Sequence, residues 1–223
     1  MNSVGIELCG TALRALGSGA LYWPERSVLV VSDLHMGKSE RIARRGGTMI
    51  PPYETRDTLA RLERDIALCA PETVICLGDS LDDNVARAGL LDEECAAIAQ
   101  MQERRDWIWI AGNHDPAPGD LGGRTMTELS VGPLVFRHIA TPKLGEVSGH
   151  YHPKARLALR GKAVSRPCFL HDGRHLVMPA YGTYTGGLDW CSPPLDRLIR
   201  PGATAILTGR HPCALPVPRR DAA

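Results

Sequence analysis

Short runs of β-branched and apolar residues recur through the first half of the chain, and each run stops at a polar side chain. They cover residues 28–31, 73–77 and 107–110. Runs this short and this apolar are typical of buried strands. Between them, segment 54–70 repeats apolar residues at helical spacing, and segment 90–104 predicts a second helix. Strands that alternate with helices in this way predict parallel strands joined by helical crossovers.

The segments on either side of this region predict mainly antiparallel strands and turns. Residues 6–23 alternate apolar residues with glycine and serine, which indicates two or three short strands. Residues 39–45 predict a short basic helix that ends at Gly46 and Gly47. The second half is rich in strand-like segments, and Asp172-Gly173 is a hairpin signal. The strands predicted there are 129–139, 146–150, 155–159, 164–171, 175–180, 203–207 and 214–217.

Helices in the first half and strands in the second predict an α/β fold, an α-β-β-α sandwich of two mixed sheets flanked by helices. A chain of 223 residues is long enough for a sizeable core, and we expect a single domain over residues 1–223. The polar motifs described below fall within residues 28–155, and residues 155–218 are expected to supply the last strands of the second sheet.

Composition and charge restrict the cellular compartment of the protein more than they restrict its function. The formal net charge is +1, so a nucleic-acid site would have to be a local basic patch. The seven cysteines include no Cys-x-x-Cys pair and lie mostly in apolar runs, which favours a reduced, cytoplasmic setting. We expect no membrane span, because no apolar stretch approaches about 20 residues. Residues 1–7 also lack the charged and apolar regions of a signal peptide.

Side chains that can bind a metal follow almost every predicted strand of residues 28–155. They are Asp33, His35, Asp79, Asn113, His114, His138, His150 and His152. Several follow a glycine, which lets the backbone turn sharply and approach a shared site beyond the strand ends. Asp, Asn and His without Cys favour Mn, Fe or Zn, and this set exceeds the four ligands of one tetrahedral zinc. This set of residues therefore predicts a site for two divalent metal ions. Asp79 lies in the middle of the set along the chain, and we expect the two ions to share its carboxylate.

These residues resemble the motifs of the calcineurin-like metallophosphoesterase superfamily. The motifs are Asp33-x-His35, Gly78-Asp79, Gly112-Asn113-His114-Asp115 and Gly149-His150-x-His152, in this order. Flanking segments are similar to the bacterial ligase-associated DNA metallophosphoesterase (PdeM) family, and this resemblance extends over nearly the whole chain. Those segments are residues 32–39, 53–59, 149–154, 166–170 and 184–188.

The resemblance implies a role for each candidate ligand. It assigns the first metal to Asp33, His35 and His152, the second to Asn113, His138 and His150, and the bridge to Asp79. It also implies that a hydroxide between the metals attacks phosphorus in line, and that His114 protonates the leaving alkoxide or stabilises charge on the phosphate. The alternative role for His114 is to orient a neighbouring residue. For His138, which no glycine precedes, the alternative is a core histidine with a hydrogen-bonded ring.

One part of the motif departs from its relatives. They commonly carry His-Asp after the bridging acid, whereas this chain has Ser80-Leu81-Asp82-Asp83. The roles of Asp82 and Asp83 therefore stay open at the level of sequence.

Basic residues after the first ligand loop are candidates for substrate binding. Lys38, Arg41, Arg44 and Arg45 could line a phosphate-binding rim, since arginine meets phosphate with a bidentate fork. The alternative is a solvated helix face, which charge runs usually are. Tyr151, between two predicted ligands, could stack on a substrate base or simply hold the ligand loop in place.

The function that these observations favour is a binuclear-metal-dependent phosphodiesterase, with Mn2+ favoured and Fe or Zn as alternatives. The resemblance alone implies a DNA substrate, an endonuclease or exonuclease activity in DNA repair, and a functional association with a DNA ligase and a helicase. A second hypothesis is a nucleotide or nucleotide-lipid pyrophosphatase or phosphatase on the same centre; a lipid would require an apolar helical cap, and the sequence contains no amphipathic insertion for one. A non-catalytic scaffold is a third hypothesis, but it predicts a degraded ligand set and this one is complete.

Overall fold

Strands dominate the part of the chain that the structure, a computed structural model, describes: residues 2–46, 51, 53–83, 85–115, 121–159 and 161–218. The strands are β1 (Ser3–Leu8), β2 (Thr11–Leu16), β3 (Leu21–Trp23), β4 (Val28–Val31), β5 (Thr73–Leu77), β6 (Asp106–Ile110), β7 (Arg124–Met126), β8 (Glu128–Val131), β9 (Leu134–Arg137), β10 (Glu146–Ser148), β11 (Lys154–Leu159), β12 (Lys162–His171), β13 (His175–Val177), β14 (Thr204–Leu207) and β15 (Cys213–Pro216). The helices are α1 (Lys38–Arg44), α2 (Glu54–Cys69), α3 (Ala86–Gly89), α4 (Asp92–Gln102) and α5 (Leu195–Leu198).

The first sheet follows chain order, from β1 at one edge to β7 at the other. Strands β1 to β4 are antiparallel, whereas β4, β5, β6 and β7 run parallel. Helix α2 connects β4 to β5, and α4 connects β5 to β6. The carboxyl ends of β4, β5 and β6 therefore lie side by side at one end of the sheet, as the alternating pattern of strands and helices predicts.

The second sheet is also mixed, with the strand order β15-β14-β12-β13-β10-β9-β8 and β11 paired with β12. Its centre contains three parallel neighbours, β9, β10 and β13. The hairpin expected at Asp172-Gly173 joins β12 to β13. The carboxyl ends of β9 and β10 thus form a second group of adjacent strand ends.

Three apolar layers hold these elements together. The outer face of the first sheet packs against α2 and α4 through residues such as Leu59, Leu62 and Trp109. The two sheets meet through side chains that include Phe136 and Phe169, both fully buried. Burying one such large side chain stabilises a fold by about 1.5–3 kcal/mol. A third layer, with α5, covers the outer face of the second sheet.

The predicted α/β sandwich of two mixed sheets with flanking helices is confirmed. The helix layer is uneven, because α5 has four residues whereas α2 has 16. Within the described ranges, no helix is both long and apolar enough to cross a membrane.

Five elements differ most from the sequence prediction. The run predicted at 129–139 is two strands, β8 and β9, joined by Gly132-Pro133, and the apolar pattern continues through that short turn. Helices α3 and α5 have four residues each, too few to show a helical period. Strand β7 has three residues, and the sheet edge leaves most of it exposed, so it carries no apolar alternation.

Candidate metal centre

The predicted ligands come together where the two sheets present their parallel strand ends. Asp33 and His35 follow β4, Asp79 follows β5, and Asn113 follows β6. From the second sheet, His138 directly follows β9, and His150 and His152 follow β10. Two backbone bonds join these loops within the first sheet, from Asp33 N to Gly78 O at 3.2 Å and from His35 N to Asp79 O at 2.9 Å. Loops far apart in sequence are thereby fixed side by side.

Five of these residues have left-handed backbone conformations that side chains rarely adopt. The φ angles are 53° at Asp33, 47° at His35, 46° at Asp79, 70° at His150 and 46° at His152. Each such position costs about 1–3 kcal/mol and persists only where surrounding structure holds it. This concentration of strain on one set of polar side chains is typical of a functional site.

Two glycines allow the loops to approach this closely. Gly78 has φ +73, and a Cβ there would lie 2.5 Å from His138 Nδ1. A Cβ on Gly149 would clash with Ser32 Oγ and lie 2.5 Å from Asp33 Oδ2. Any side chain at either position would push the ligand loops of the two sheets apart.

Asp33, His35 and His152 form the first group of donor atoms. His152 Nε2 lies 3.1 Å from Asp33 Oδ1 and 3.4 Å from His35 Nε2. One ligand atom from each residue lies within 4.8 Å of the others, which is close enough for one cation to contact all three. These are the residues predicted for the first metal.

Asp79, His138 and His150 form the second group, and Asn113 joins it. His138 Nε2 lies 3.3 Å from Asp79 Oδ2, 2.9 Å from Asn113 Oδ1 and 3.2 Å from His150 Nδ1. His138 Nδ1 lies 3.9 Å from Asp33 Oδ1, so the two groups adjoin. The predicted second set is therefore also brought together, beside the first.

The chemistry of these donors fits a cation. His138 Nδ1 lies 2.8 Å from the carbonyl oxygen of Leu77 and donates to it, so a neutral ring directs the lone pair of Nε2 toward Asp79 and Asn113. Lone pairs that converge in this way repel one another unless a positive charge lies between them. Asp, Asn and His are ligands of borderline and hard divalent ions, and this donor set suits two such ions.

The electrostatics of the two groups point the same way. Burial alone would raise the pKa of Asp79, but its hydrogen bond to His138 and the His138 charge lower the pKa overall. Burial alone would lower the pKa of His138, yet the contacts with Asp79 and Asp33 raise it. These opposite shifts show that the carboxylates of the two groups favour a positive charge beside them, which a bound metal would supply.

Asp82 supports the first group from outside it. Its fully buried carboxylate accepts a hydrogen bond from His35 Nδ1 at 2.8 Å and pairs with Arg41 Nε. Lys38 Nζ lies 3.9 Å from the same carboxylate. Burial alone would raise the pKa of Asp82, but the His35 hydrogen bond and these positive charges lower it. A carboxylate bonded to the far nitrogen of a ligating histidine fixes the ring orientation and the tautomer, and the geometry of Asp82 is suited to that role toward His35.

We predict that Asp82→Asn will weaken metal affinity by about 10- to 100-fold, since it removes the charge that holds His35 in place. Titration of metal-free protein with Mn2+, followed by calorimetry, measures the change. Asp83→Asn is the matched control, because Asp83 pairs with Arg44 at the surface, at 2.9 Å, and does not contact a ligand. Equal affinities for the two variants would show that Asp82 does not position His35.

His114 lies beside the two groups. Its backbone N donates to Asp79 Oδ1 at 2.9 Å, and its ring Nδ1 donates to the carbonyl oxygen of Asp82 at 2.9 Å. The other ring nitrogen, Nε2, lies 4.0 Å from Asp79 Oδ2, and 35% of the side chain is exposed. This nitrogen therefore faces a space that solvent and substrate can enter.

The predicted substrate-binding residues occupy different environments. Arg41 and Lys38 lie beside Asp82, whereas Arg44 binds both carboxylate oxygens of Asp83 and Arg45 is exposed at the end of α1. Tyr151 is partly buried, and its ring meets the His150 ring edge-on with the centroids 5.0 Å apart. The structure thus brings Lys38 and Arg41 toward the centre, and it packs Tyr151 against a predicted ligand.

Sequence reasoning missed two residues that shape the centre. Ser32 Oγ donates to Asp33 Oδ2, and the buried Asp115 Oδ2 accepts from Leu81 N at 2.9 Å, behind Asp79. Burial raises the pKa of Asp115, the hydrogen bond from Leu81 N lowers it, and the negative charge of Asp79 raises it again, so that the pKa is about 7. Asp115 belongs to the Gly112–Asp115 motif, but the sequence gives it no role, and the signal for Ser32 is a polar residue at the end of a buried strand.

The similarity to known proteins covers all the residues of the candidate metal centre. The sequence model of the calcineurin-like phosphoesterase family matches residues 26–209. Among solved structures, the chain is similar to the nuclease MPE of Pseudomonas putida, with 32% sequence identity and a TM-score of 0.72. That match covers 97% of this chain and 100% of the other. The search of curated proteins found no match.

Proposed function

The chain belongs to the calcineurin-like phosphoesterase family and is a metal-dependent phosphoesterase, and on this premise we propose that it is a phosphodiesterase that cleaves DNA. The observation that carries the proposal is the pair of adjoining donor groups at the meeting strand ends. Asp33 and Asp79 belong to different groups, and His138 lies within 3.9 Å of the one and 3.3 Å of the other. A spacing this short suits a two-metal centre with Asp79 as the shared ligand.

When bound, two divalent metals supply Lewis acidity, which lowers the pKa of a water and offsets charge that builds on a phosphate. We propose Mn2+ as the physiological metal, since the donors are carboxylate, amide and imidazole without thiolate. The residues of the two groups would hold these ions in fixed positions, so that most of the rate enhancement would come from positioning and charge stabilisation. No covalent intermediate on the protein is required.

His114 is the residue that we assign to proton transfer. Since Nδ1 is occupied by the carbonyl oxygen of Asp82, Nε2 is the nitrogen that can give a proton to a leaving alkoxide. The 4.0 Å between this nitrogen and Asp79 Oδ2, and the partial exposure of the side chain, support this assignment.

Two observations favour a nucleic acid over other phosphate esters, and the choice of DNA rests on the resemblance of the flanking motifs. The similar solved structure is named a nuclease. Basic side chains also border the centre: Lys38 and Arg41 lie beside Asp82, and Lys154 begins the strand that follows His152. A local basic patch of this kind suits a phosphate backbone although the net charge of the chain is only +1. In the described ranges α2 and α4 pack against the first sheet, so neither helix forms the apolar cap that a lipid substrate would require.

A role in DNA repair, with functional association with a DNA ligase and a helicase, is a further part of the proposal, and it rests on the resemblance of the flanking motifs. No disulfide joins the seven cysteines, all of which lie in the described ranges, and this suits a reducing compartment such as the cytoplasm.

The experiment that tests the function compares substrates on metal-reconstituted enzyme. We predict that chelation abolishes activity, that Mn2+ restores it best, and that DNA is cleaved with a kcat/KM at least about tenfold above that for cyclic nucleotides or nucleotide pyrophosphates. Plasmid DNA and single-stranded oligonucleotides, with free and blocked ends, separate endonuclease from exonuclease action. Faster hydrolysis of a nucleotide pyrophosphate than of any DNA would favour the alternative pyrophosphatase, and activity that survives chelation would exclude the metal mechanism.

A further inference from the structure

The segment of residues 181–183 is bonded to the backbone on both sides of Asp33. Tyr181 N donates to Ser32 O at 2.7 Å, and Gly182 N donates to Asp33 O at 3.0 Å. A Cβ on Gly182 would itself lie 3.0 Å from Asp33 O, so the two backbones lie close together. The peptide groups before and after Asp33 are thus both held by this one segment.

Asp33 depends on such support because its backbone is strained. Its φ of 53° is in the left-handed region, which a residue other than glycine keeps only where surrounding structure holds it. Its carboxylate accepts from His150 N at 3.0 Å and lies 3.1 Å from His152 Nε2. A rotation of the Asp33 backbone would therefore carry a predicted ligand of the first metal away from its partners.

Arg61 of α2 fixes the segment from the side of the helix layer. Its Nη2 donates to Tyr181 O at 2.7 Å and to Thr183 Oγ1 at 3.1 Å. Its Cζ also lies 4.7 Å from the centroid of the Tyr181 ring, which is a cation–π contact. One side chain thus holds both ends of the segment, and it is itself partly exposed.

Other side chains of α2 hold the same segment. Thr183 N donates to Thr58 Oγ1 at 3.1 Å, and Thr183 Oγ1 donates to Asp57 Oδ2 at 2.6 Å. The helix packs on the first sheet through its apolar face. A segment bonded at several points to a packed helix keeps one position, and Arg61 is the residue that contacts two of its members.

We propose that Arg61 is a positioning residue for the first metal, because it fixes residues 181–183 and thereby keeps Asp33 in the conformation that presents its carboxylate to a cation. This inference rests on the proposed two-metal function and adds to it a residue of the helix layer. Residues that orient a metal ligand typically change metal affinity by about 10- to 100-fold. Since Arg61 acts through one further link of backbone, we expect an effect at the lower end of that range.

The first test measures metal binding without substrate, by calorimetric titration of metal-free protein with Mn2+. Arg61→Met keeps an unbranched side chain but removes the donors, so it is expected to weaken one of the two Mn2+ ions about tenfold and to leave the other within about twofold. Arg61→Lys keeps a donor and the charge beside the Tyr181 ring, and its affinity is expected to stay within about threefold of the wild type.

A double-mutant cycle checks that Arg61 acts through the segment. Thr183→Val removes one acceptor of Arg61 and is expected to weaken the same Mn2+ ion. The losses in Arg61→Met and Thr183→Val should not add in the double variant, because both changes release the same segment.

A positioning role also predicts how activity depends on the metal. In Arg61→Met, the Mn2+ concentration that gives half-maximal hydrolysis of an aryl phosphodiester should rise about tenfold, whereas kcat at saturating Mn2+ should stay within about twofold. Arg64→Met, at an exposed residue of the same helix, controls for the loss of a guanidinium. Leu59→Ala, at a buried residue of α2, controls for lost stability, and it should lower Tm without changing Mn2+ affinity.

Three results would overturn the inference. They are unchanged Mn2+ affinity in both Arg61→Met and Thr183→Val, an equal loss in Arg64→Met, and a loss in Leu59→Ala that follows the fall in Tm. Failure of the proposed function gives a different result. If the wild type binds two Mn2+ ions but cleaves no phosphodiester, that function fails while the affinities still decide the role of Arg61.

Discussion

Asp79→Asn is expected to reduce phosphodiester hydrolysis by at least about a thousandfold. Asp79 follows β5, at the centre of the donor groups, with Oδ2 3.3 Å from His138 Nε2 and 4.0 Å from His114 Nε2. An amide cannot offer two anionic oxygens to two cations, so the variant would lose the shared ligand. A thousandfold loss corresponds to about 4 kcal/mol of transition-state stabilisation, within the several kcal/mol that metal catalysis supplies.

The measurement is kcat/KM for an aryl phosphodiester together with metal content by elemental analysis. We expect at least one of the two metal equivalents to be lost while the circular dichroism spectrum is retained. Asp106→Asn is the matched control, because Asp106 pairs with Arg124 at the surface, 2.5 Å away, at the opposite end of β6 from Asn113. Asp79→Asn with full activity would falsify the assignment of the centre.

The position of the centre could be predicted from sequence for a physical reason. Parallel strands joined by helices place their carboxyl ends together, so polar residues after β4, β5 and β6 had to meet. The residues after β9 and β10 obey the same rule in the second sheet. The family resemblance predicted from the motifs is confirmed by the match over residues 26–209. The single-domain assignment, the metal identity and the role of each ligand stay predictions.

Other features could not be predicted because they depend on contacts between distant segments. The left-handed conformations of His35 and His152 follow from packing of loops 117 positions apart in sequence, which no local pattern records. The pairing of Arg41 with Asp82 is a second example. A basic run after the first ligand loop is compatible with a phosphate-binding rim or a solvated face, and only the fold shows that Arg41 reaches a buried carboxylate while Arg45 is exposed.

Tyr184 shows why exposure matters as much as position along the chain. From sequence, Tyr151 is a candidate to stack on a base or to hold the ligand loop, because it lies between two predicted ligands, and residues 184–188 are only a family-like segment. The structure packs Tyr151 against His150 and leaves Tyr184 46% exposed, next to Thr185, whose carbonyl oxygen accepts from Lys154 Nζ. Which side chains are available to a substrate is decided by the packing of the loops.

His114→Ala is expected to reduce cleavage of DNA by about 10²- to 10⁴-fold, the range that positioned proton transfer contributes. An alkoxide leaving group departs poorly unless a proton reaches it, and Nε2 of His114 is the nitrogen free to deliver one. A weakly basic aryl leaving group departs without a proton. Hydrolysis of an aryl phosphodiester should therefore fall much less, by about tenfold or below.

The comparison of leaving groups separates proton transfer from a purely orienting role. The ring of His114 also contacts His35, with the ring centroids 5.3 Å apart, so its loss could instead disturb the first metal group. In that case both substrates would slow by the same factor and metal content would fall. His211→Ala, at an exposed residue near the end of the described chain, controls for the loss of an imidazole. A variant that keeps its metal but loses activity mainly on DNA, whose leaving group needs a proton, requires a proton donor at this position. That pair of results would show that His114 acts as an acid and not only as a residue that orients a neighbour.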